Sequence, residues 1–232
     1  MPKHNPIKLI NIDEDAPKEF YIFLDFYSNI YDDINKHNYS LTKKMVSTGF
    51  QHLFLSKQNL INYEKGEVNH LPFASVDITN ICPPSTFILK TINNYNLEHN
   101  LEWFRRNYFK KYPSRFSSLF AFGDYESCEK VAEIHKWNLS SVKKFKIFED
   151  LGEIMKYVRI GKFNMEIVSL LRRIPASSFS REDQDVLYKK YWEGQETAIV
   201  KFGERERASG TIYEYLIEGV LEEVYYRKVD YK

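Results

Sequence analysis

Four stretches of the chain concentrate charged or reactive side chains. From Glu102 to Arg115, Arg105, Arg106, Lys110, Lys111 and Arg115 face one acidic residue and are interleaved with Trp103, Phe104, Tyr108, Phe109 and Tyr112. Cationic side chains hold phosphates and aromatic rings stack on bases, so this run has the make-up of a nucleic-acid contact. The ordinary use of such a run is a solvated helix face. Arg115 differs from its neighbours, because it lies between Pro113 and the apolar run Leu119-Phe120-Ala121-Phe122. A charge entering the core there needs a carboxylate or a bound phosphate as partner. Ser114, Ser117 and Ser118 put hydroxyls beside it.

The other stretches carry fewer such residues. Gln51 to Gly66 contains His52, Asn59 and Tyr63 among small polar residues and a closing glycine. A lone strand histidine is ordinarily structural, but backbone groups in such a segment can meet a nucleotide. In Thr211 to Gly219, Glu214 stands inside an apolar run and shares a face, by strand alternation, with Ile212 and Leu216. A carboxylate between aliphatic side chains is costly unless paired or functional. Glu204 and Glu206 form a second acidic pair, expected on a surface loop between Gly203 and Gly210. There is no Gly-rich phosphate loop, no HExxH and no serine elbow, so those enzyme classes lose support.

These groups need elements to position them. Phe20, Phe23, Leu24, Tyr27, Ile30, Tyr31 and Ile34 recur at three- and four-residue steps and predict a helix over residues 18–36. Residues 49–55 read as a strand and Ser56 to Glu64 as a turn or helix. A helix is expected over about 97–111, with Leu101, Phe104 and Tyr108 on one face. A buried strand follows at 117–122, then a helix from Asp124 to about Trp137 and a strand over 142–148. Helices are expected at 148–158, at 163–174 and after Ser180, where a capping serine precedes Val186, Leu187 and Tyr191. The end reads as two strands, 211–218 and 220–229, split by Gly219. Helices first, mixed elements next and a β-rich end make an α+β plan. The expected division is a helical, acidic and aromatic element over 1–44 and one larger domain over 45–232.

Composition narrows the classes. The 232 residues carry 43% apolar and 16% aromatic residues with only 9 Gly and 8 Pro, which excludes a disordered or collagenous chain. The net charge of +1 excludes a generally basic nucleic-acid coat. It averages unlike parts, with −4 over residues 1–34 and +4 over 101–115. Two cysteines, Cys82 and Cys128, make neither a disulfide framework nor a CxxC zinc site, so no metal is expected. No segment approaches the ~20 apolar residues of a membrane span. A cytoplasmic protein without membrane contact is the expectation.

The runs from His52 to Gly66, PSRFSSLFAF (113–122), YWEG (191–194) and EYLIEG (214–219) resemble bacterial ADP-ribosyltransferase-like domains with an SRxxSLFAF-like core, and more distantly the DarT-type toxins. The similarity covers about residues 45–225 in short patches, of which SRFSSLFAF and YWEG are the more specific. It implies a split, strongly bent pair of sheets with flanking helices and NAD in the cleft. Arg115 would hold an NAD phosphate, Ser117 would support the nicotinamide ribose, and His52 would meet the ribose or the amide. Asn59 and Tyr63 would complete the NAD-binding set, with Tyr63, Tyr108 or Tyr213 stacking the nicotinamide. Glu214 would be the catalytic glutamate, stabilising the oxocarbenium that forms when the nicotinamide–ribose bond breaks. Many protein-modifying members carry Glu or Gln two residues earlier, where this chain has Ile212. Glu206 is the rival for the catalytic role.

The function so implied is NAD-dependent ADP-ribosyl transfer to RNA or DNA, as a toxin or phage-defence effector held in check by an antitoxin protein. Trp103, Arg105, Arg106, Lys110 and Lys111 would hold the nucleic acid. The acidic helix over 18–36 would either pack on the core or dock the antitoxin. Alternatives are protein ADP-ribosylation, NAD glycohydrolysis, and a non-catalytic binding module of the same fold.

Overall fold

A computed structural model describes residues 16–27, 44–47, 65, 95–173, 180–202 and 205–224. The expectations for 28–36, 49–64 and 225–229 lie outside them, and with these His52, Asn59, Tyr63 and Glu204. Nine strands are described: β1 (Phe20–Phe23), β2 (Lys44–Val46), β3 (Leu119–Ala121), β4 (Val142–Ile147), β5 (Arg159–Asn164), β6 (Ile199–Phe202), β7 (Arg205–Ala208), β8 (Tyr213–Glu218) and β9 (Val220–Glu223). The helices are α1 (Tyr95–Tyr108), α2 (Tyr125–His135), α3 (Met165–Arg173) and α4 (Arg181–Trp192).

The strands form an antiparallel sheet of order β1-β4-β9-β2, another of order β3-β8-β5, and the hairpin β6-β7. The fold is α+β. β8 and β9 are consecutive yet each is an inner strand of a different sheet, so Gly219 is where the chain passes from one sheet to the other. A side chain at Gly219 would meet Val158 Cγ1 at 3.0 Å. Its backbone is clasped by Ser47, whose N–H donates to the Gly219 carbonyl and whose Oγ accepts from the Gly219 N–H.

Local chemistry explains most elements. Asp124 caps α2 by accepting from Ser127 N at 2.7 Å, and Lys136 ends it in the left-handed region at φ 58°. Ser180 and Asp183 form a reciprocal capping box that starts α4. Trp192, wholly buried, donates from Nε1 to the Leu101 carbonyl and fastens α4 to α1. The core joins Phe20, Phe120, Phe145, Phe163, Tyr191 and Trp192 across both sheets.

Several expectations are corrected. The helix over 18–36 is overturned where its residues are described, because Phe20–Phe23 is a strand paired with β4 and Leu24–Phe26 a single 3₁₀ turn. Phe20, Ile22 and Phe23 are all buried, so both faces of β1 are packed, and a short continuous apolar run does not distinguish strand from helix. The helix expected at 163–174 begins only after β5, and the one at 148–158 is a 3₁₀ turn over Gly152–Tyr157. Glu206 lies on β7, opposite Lys201, rather than on a loop.

Candidate functional site

The SRFSS run makes a tight turn before β3. Ser114 Oγ accepts from Phe116 N, and the Ser114 carbonyl accepts from the N–H groups of Ser117 and Ser118. This turn drives Arg115 into the interior, where it is 2% exposed. Its partners are carboxylates. Nε and Nη2 donate to the two oxygens of Glu98 at 2.7 and 3.1 Å, and Nη1 donates to Glu214 Oε1 and to the Tyr191 hydroxyl, both at 2.5 Å. Tyr191 in turn donates to Glu214 Oε1 at 2.7 Å. The guanidinium lies over the rings of Phe120 and Tyr191, 5.0 and 5.2 Å from their centroids. From α3, Arg172 Nη2 reaches Glu98 Oε1 at 2.6 Å.

Electrostatics keep Arg115 and Glu98 ionised despite their burial. Desolvation pulls the Arg115 pKa down, but Glu214 and Glu98 outweigh it and hold the guanidinium firmly protonated. Burial pushes the Glu98 carboxyl up, yet Arg115 and Arg172 bring it below its ordinary value. Burial first, then Glu214, raises the Tyr191 phenol well above its usual range, so it remains a neutral donor. Glu214 has Oε1 held from two directions, whereas Oε2 meets no donor among the described residues. That is an oriented carboxylate with one oxygen left for another group.

The remaining site residues separate. Ser117 is buried, and its Oγ donates to Glu218 Oε1 at 2.9 Å, beside the Ser114 N–H bond to the same oxygen. Its hydroxyl proton therefore braces the end of β8. Arg105 is removed from the nucleic-acid set. It is 3% exposed, pairs through Nε and Nη2 with Glu102, and donates from Nη1 to the carbonyls of Lys110 and Tyr112. It ties down the chain leaving α1, a common use of a last-turn arginine. Lys110 and Lys111 are exposed, Arg106 is half-buried, and Trp103 is 43% exposed. Tyr108, expected on the inner face with Leu101 and Phe104, is exposed instead. Val186 likewise faces outward while Leu187 and Tyr191 are buried.

Sequence reasoning missed Glu98, Arg172 and the role of the Tyr191 hydroxyl. One signal was present: Glu98, Glu102 and Arg105 fall at the helical step of the buried Leu101. Charged residues in that stripe had to find one another or a distant partner. A separate cluster joins α2 to α3, with His135 Nε2 3.2 Å from Glu166 Oε1 and Arg173 3.9 Å from Oε2. Hydrogen bonding from His135 holds the Glu166 carboxyl below its ordinary value against the cost of burial. Among the described residues no group of three or more His, Cys, Asp or Glu is placed to hold a metal, and no helix is long and apolar enough to cross a membrane.

The chain belongs to a family of proteins of unknown function, DUF2441, whose model matches residues 3–225. No curated protein matches it.

Proposed function

We propose that this protein transfers ADP-ribose from NAD to a nucleic acid, with Glu214 as the catalytic carboxylate. One observation carries the reading. The three better-described runs of the resemblance, 113–122, 191–194 and 214–219, converge on a single carboxylate. Arg115 and Tyr191 bind Glu214 Oε1 across 99 and 23 residues of sequence. Such convergence is what a reaction centre requires, because the carboxylate must be held while charge develops on the ribose. Oε2 is the oxygen suited to a ribose hydroxyl or to the developing cation. Arg115 enters as a positioning residue, since its donors are taken by Glu98, Glu214 and Tyr191.

The acceptor reading rests on the outer end of α1. Trp103, Tyr108, Lys110 and Lys111 present rings and ammonium groups to solvent, with Arg106 half-buried beside them. A role as toxin or phage-defence effector, with an antitoxin partner, rests on the resemblance alone. The completeness of the Glu98–Arg115–Glu214 network favours a second reading, a non-catalytic binding module whose buried ions only fix the fold.

Incubation with labelled NAD and, separately, RNA, single-stranded DNA and cell protein separates these readings. Label on nucleic acid is the expected result. Label on protein alone rejects the acceptor, free ADP-ribose alone means glycohydrolysis, and no NAD consumption leaves the binding module.

A further inference from the structure

A phosphate bound at Arg115 would have to displace a carboxylate from a guanidinium that is 2% exposed. Arg172 is placed differently. It sits in the last turn of α3, its side chain is 23% exposed, and it reaches the cluster through one bond, Nη2 to Glu98 Oε1. Its Nε is buried and has no hydrogen-bond partner, and Nη1 makes no hydrogen bond among the described residues. The one carboxylate it meets among the described residues is already shared with Arg115. A buried donor left unmade is costly, and Nη1 leaves the guanidinium able to donate to a phosphate oxygen. The carbonyl end of α3 favours a cation, and Arg172 lies in its last turn.

The geometry points to Arg172 as the residue that binds the pyrophosphate of NAD, in the place the resemblance gives to Arg115. The inference rests on the proposed NAD chemistry. The bonded chain Arg172–Glu98–Arg115–Glu214 puts the Arg172 guanidinium and the Glu214 carboxylate within roughly 10 Å of each other, given ordinary hydrogen-bond lengths. That span suits a ribose held at one end and its 5′-phosphate at the other. Glu98 then acts as the positioning residue between them, holding Arg172 with one oxygen and Arg115 with both.

The test compares the wild-type protein with Arg172→Gln and Arg172→Lys. Nicotinamide release gives kcat and KM for NAD, and calorimetry gives the affinities for ADP-ribose and adenosine. Arg172→Gln should raise KM roughly tenfold or more while kcat falls far less, the pattern of lost ground-state binding. It should also weaken ADP-ribose roughly tenfold and leave adenosine unchanged, and Arg172→Lys should recover part of both losses. An unchanged KM and unchanged ADP-ribose affinity in Arg172→Gln, with the wild type active on NAD, overturn the assignment alone. Equal losses for ADP-ribose and adenosine, with a lowered melting temperature, make Arg172 structural and overturn it as well. A wild type that neither consumes NAD nor binds ADP-ribose overturns this inference together with the reading beneath it.

Discussion

Arg105 and Arg115 stand ten residues apart in one basic stretch, are both nearly buried, and both hold a glutamate through Nε and Nη2. Their partners make them different. Arg105 binds Glu102 three residues back and the carbonyls of Lys110 and Tyr112 just ahead, so these four bonds are local. Arg115 binds glutamates 17 and 99 residues away and a tyrosine 76 residues away. The first arginine finishes a helix. The second joins α1, α4 and β8 around one carboxylate. A buried cation with local partners reports on secondary structure, whereas one with distant partners marks where the fold has assembled a centre.

Substitutions make the contrast measurable. Glu214→Gln should lower NAD turnover by about 10²-fold or more, the scale of losing one preorganised electrostatic contact. Glu206→Gln, on the exposed hairpin, should leave turnover unchanged. The reverse result in nicotinamide release would move the catalytic role to Glu206. Arg115→Leu should cost about 3–5 kcal/mol in urea unfolding, because it strands the buried carboxylates Glu98 and Glu214. Arg105→Leu strands one carboxylate among the described residues, Glu102, and should cost less, about 1–3 kcal/mol. Equal costs would erase the distinction between the two arginines.

The exposed end of α1 should behave in the opposite sense. Lys110→Ala with Lys111→Ala should change stability by less than about 0.5 kcal/mol per site. The pair should also reduce the salt dependence of single-stranded DNA or RNA binding by about one unit of slope per lysine. Arg105→Leu should leave that slope unchanged, and a titration series at several salt concentrations reads both.

The smallest effect concerns pH. The Glu98 carboxyl titrates lower in the fold than in the unfolded chain, so its stabilisation is fully present above the ordinary carboxylate range. It fades as pH falls through the lowered value. Tyr191 and Tyr27, both raised by burial, contribute stability below the ordinary phenol range of about 10 and lose it as pH rises further. Urea midpoints between pH 3 and pH 11 should therefore fall at both ends. Glu98→Gln should flatten the acid side.

Much of the fold was legible because its signals are local. The Asp124 and Ser180 caps, the apolar run of β3, the alternation of β4 and the Gly219 break each depend on a few neighbouring residues. Two of the misreadings share one cause. In β1 and β5, apolar residues pack on both faces, and only the neighbouring strand decides between strand and helix. The exposed Tyr108 shows the same limit from the other side, since helical spacing sets a stripe but not which element covers its last turn.

The sequence by itself determined that Arg115 and Glu214 would each need a partner, because a charge inside an apolar run cannot remain unpaired in a low-dielectric interior. It also set the local devices that start and stop the elements. Only the tertiary structure decided that these two residues answer each other, with Glu98, Arg172 and Tyr191 completing the cluster. Ion pairing depends on distance in space, and the approach of β8, α1, α3 and α4 to the SRFSS turn is fixed by how sheets and helices pack rather than by neighbours along the chain.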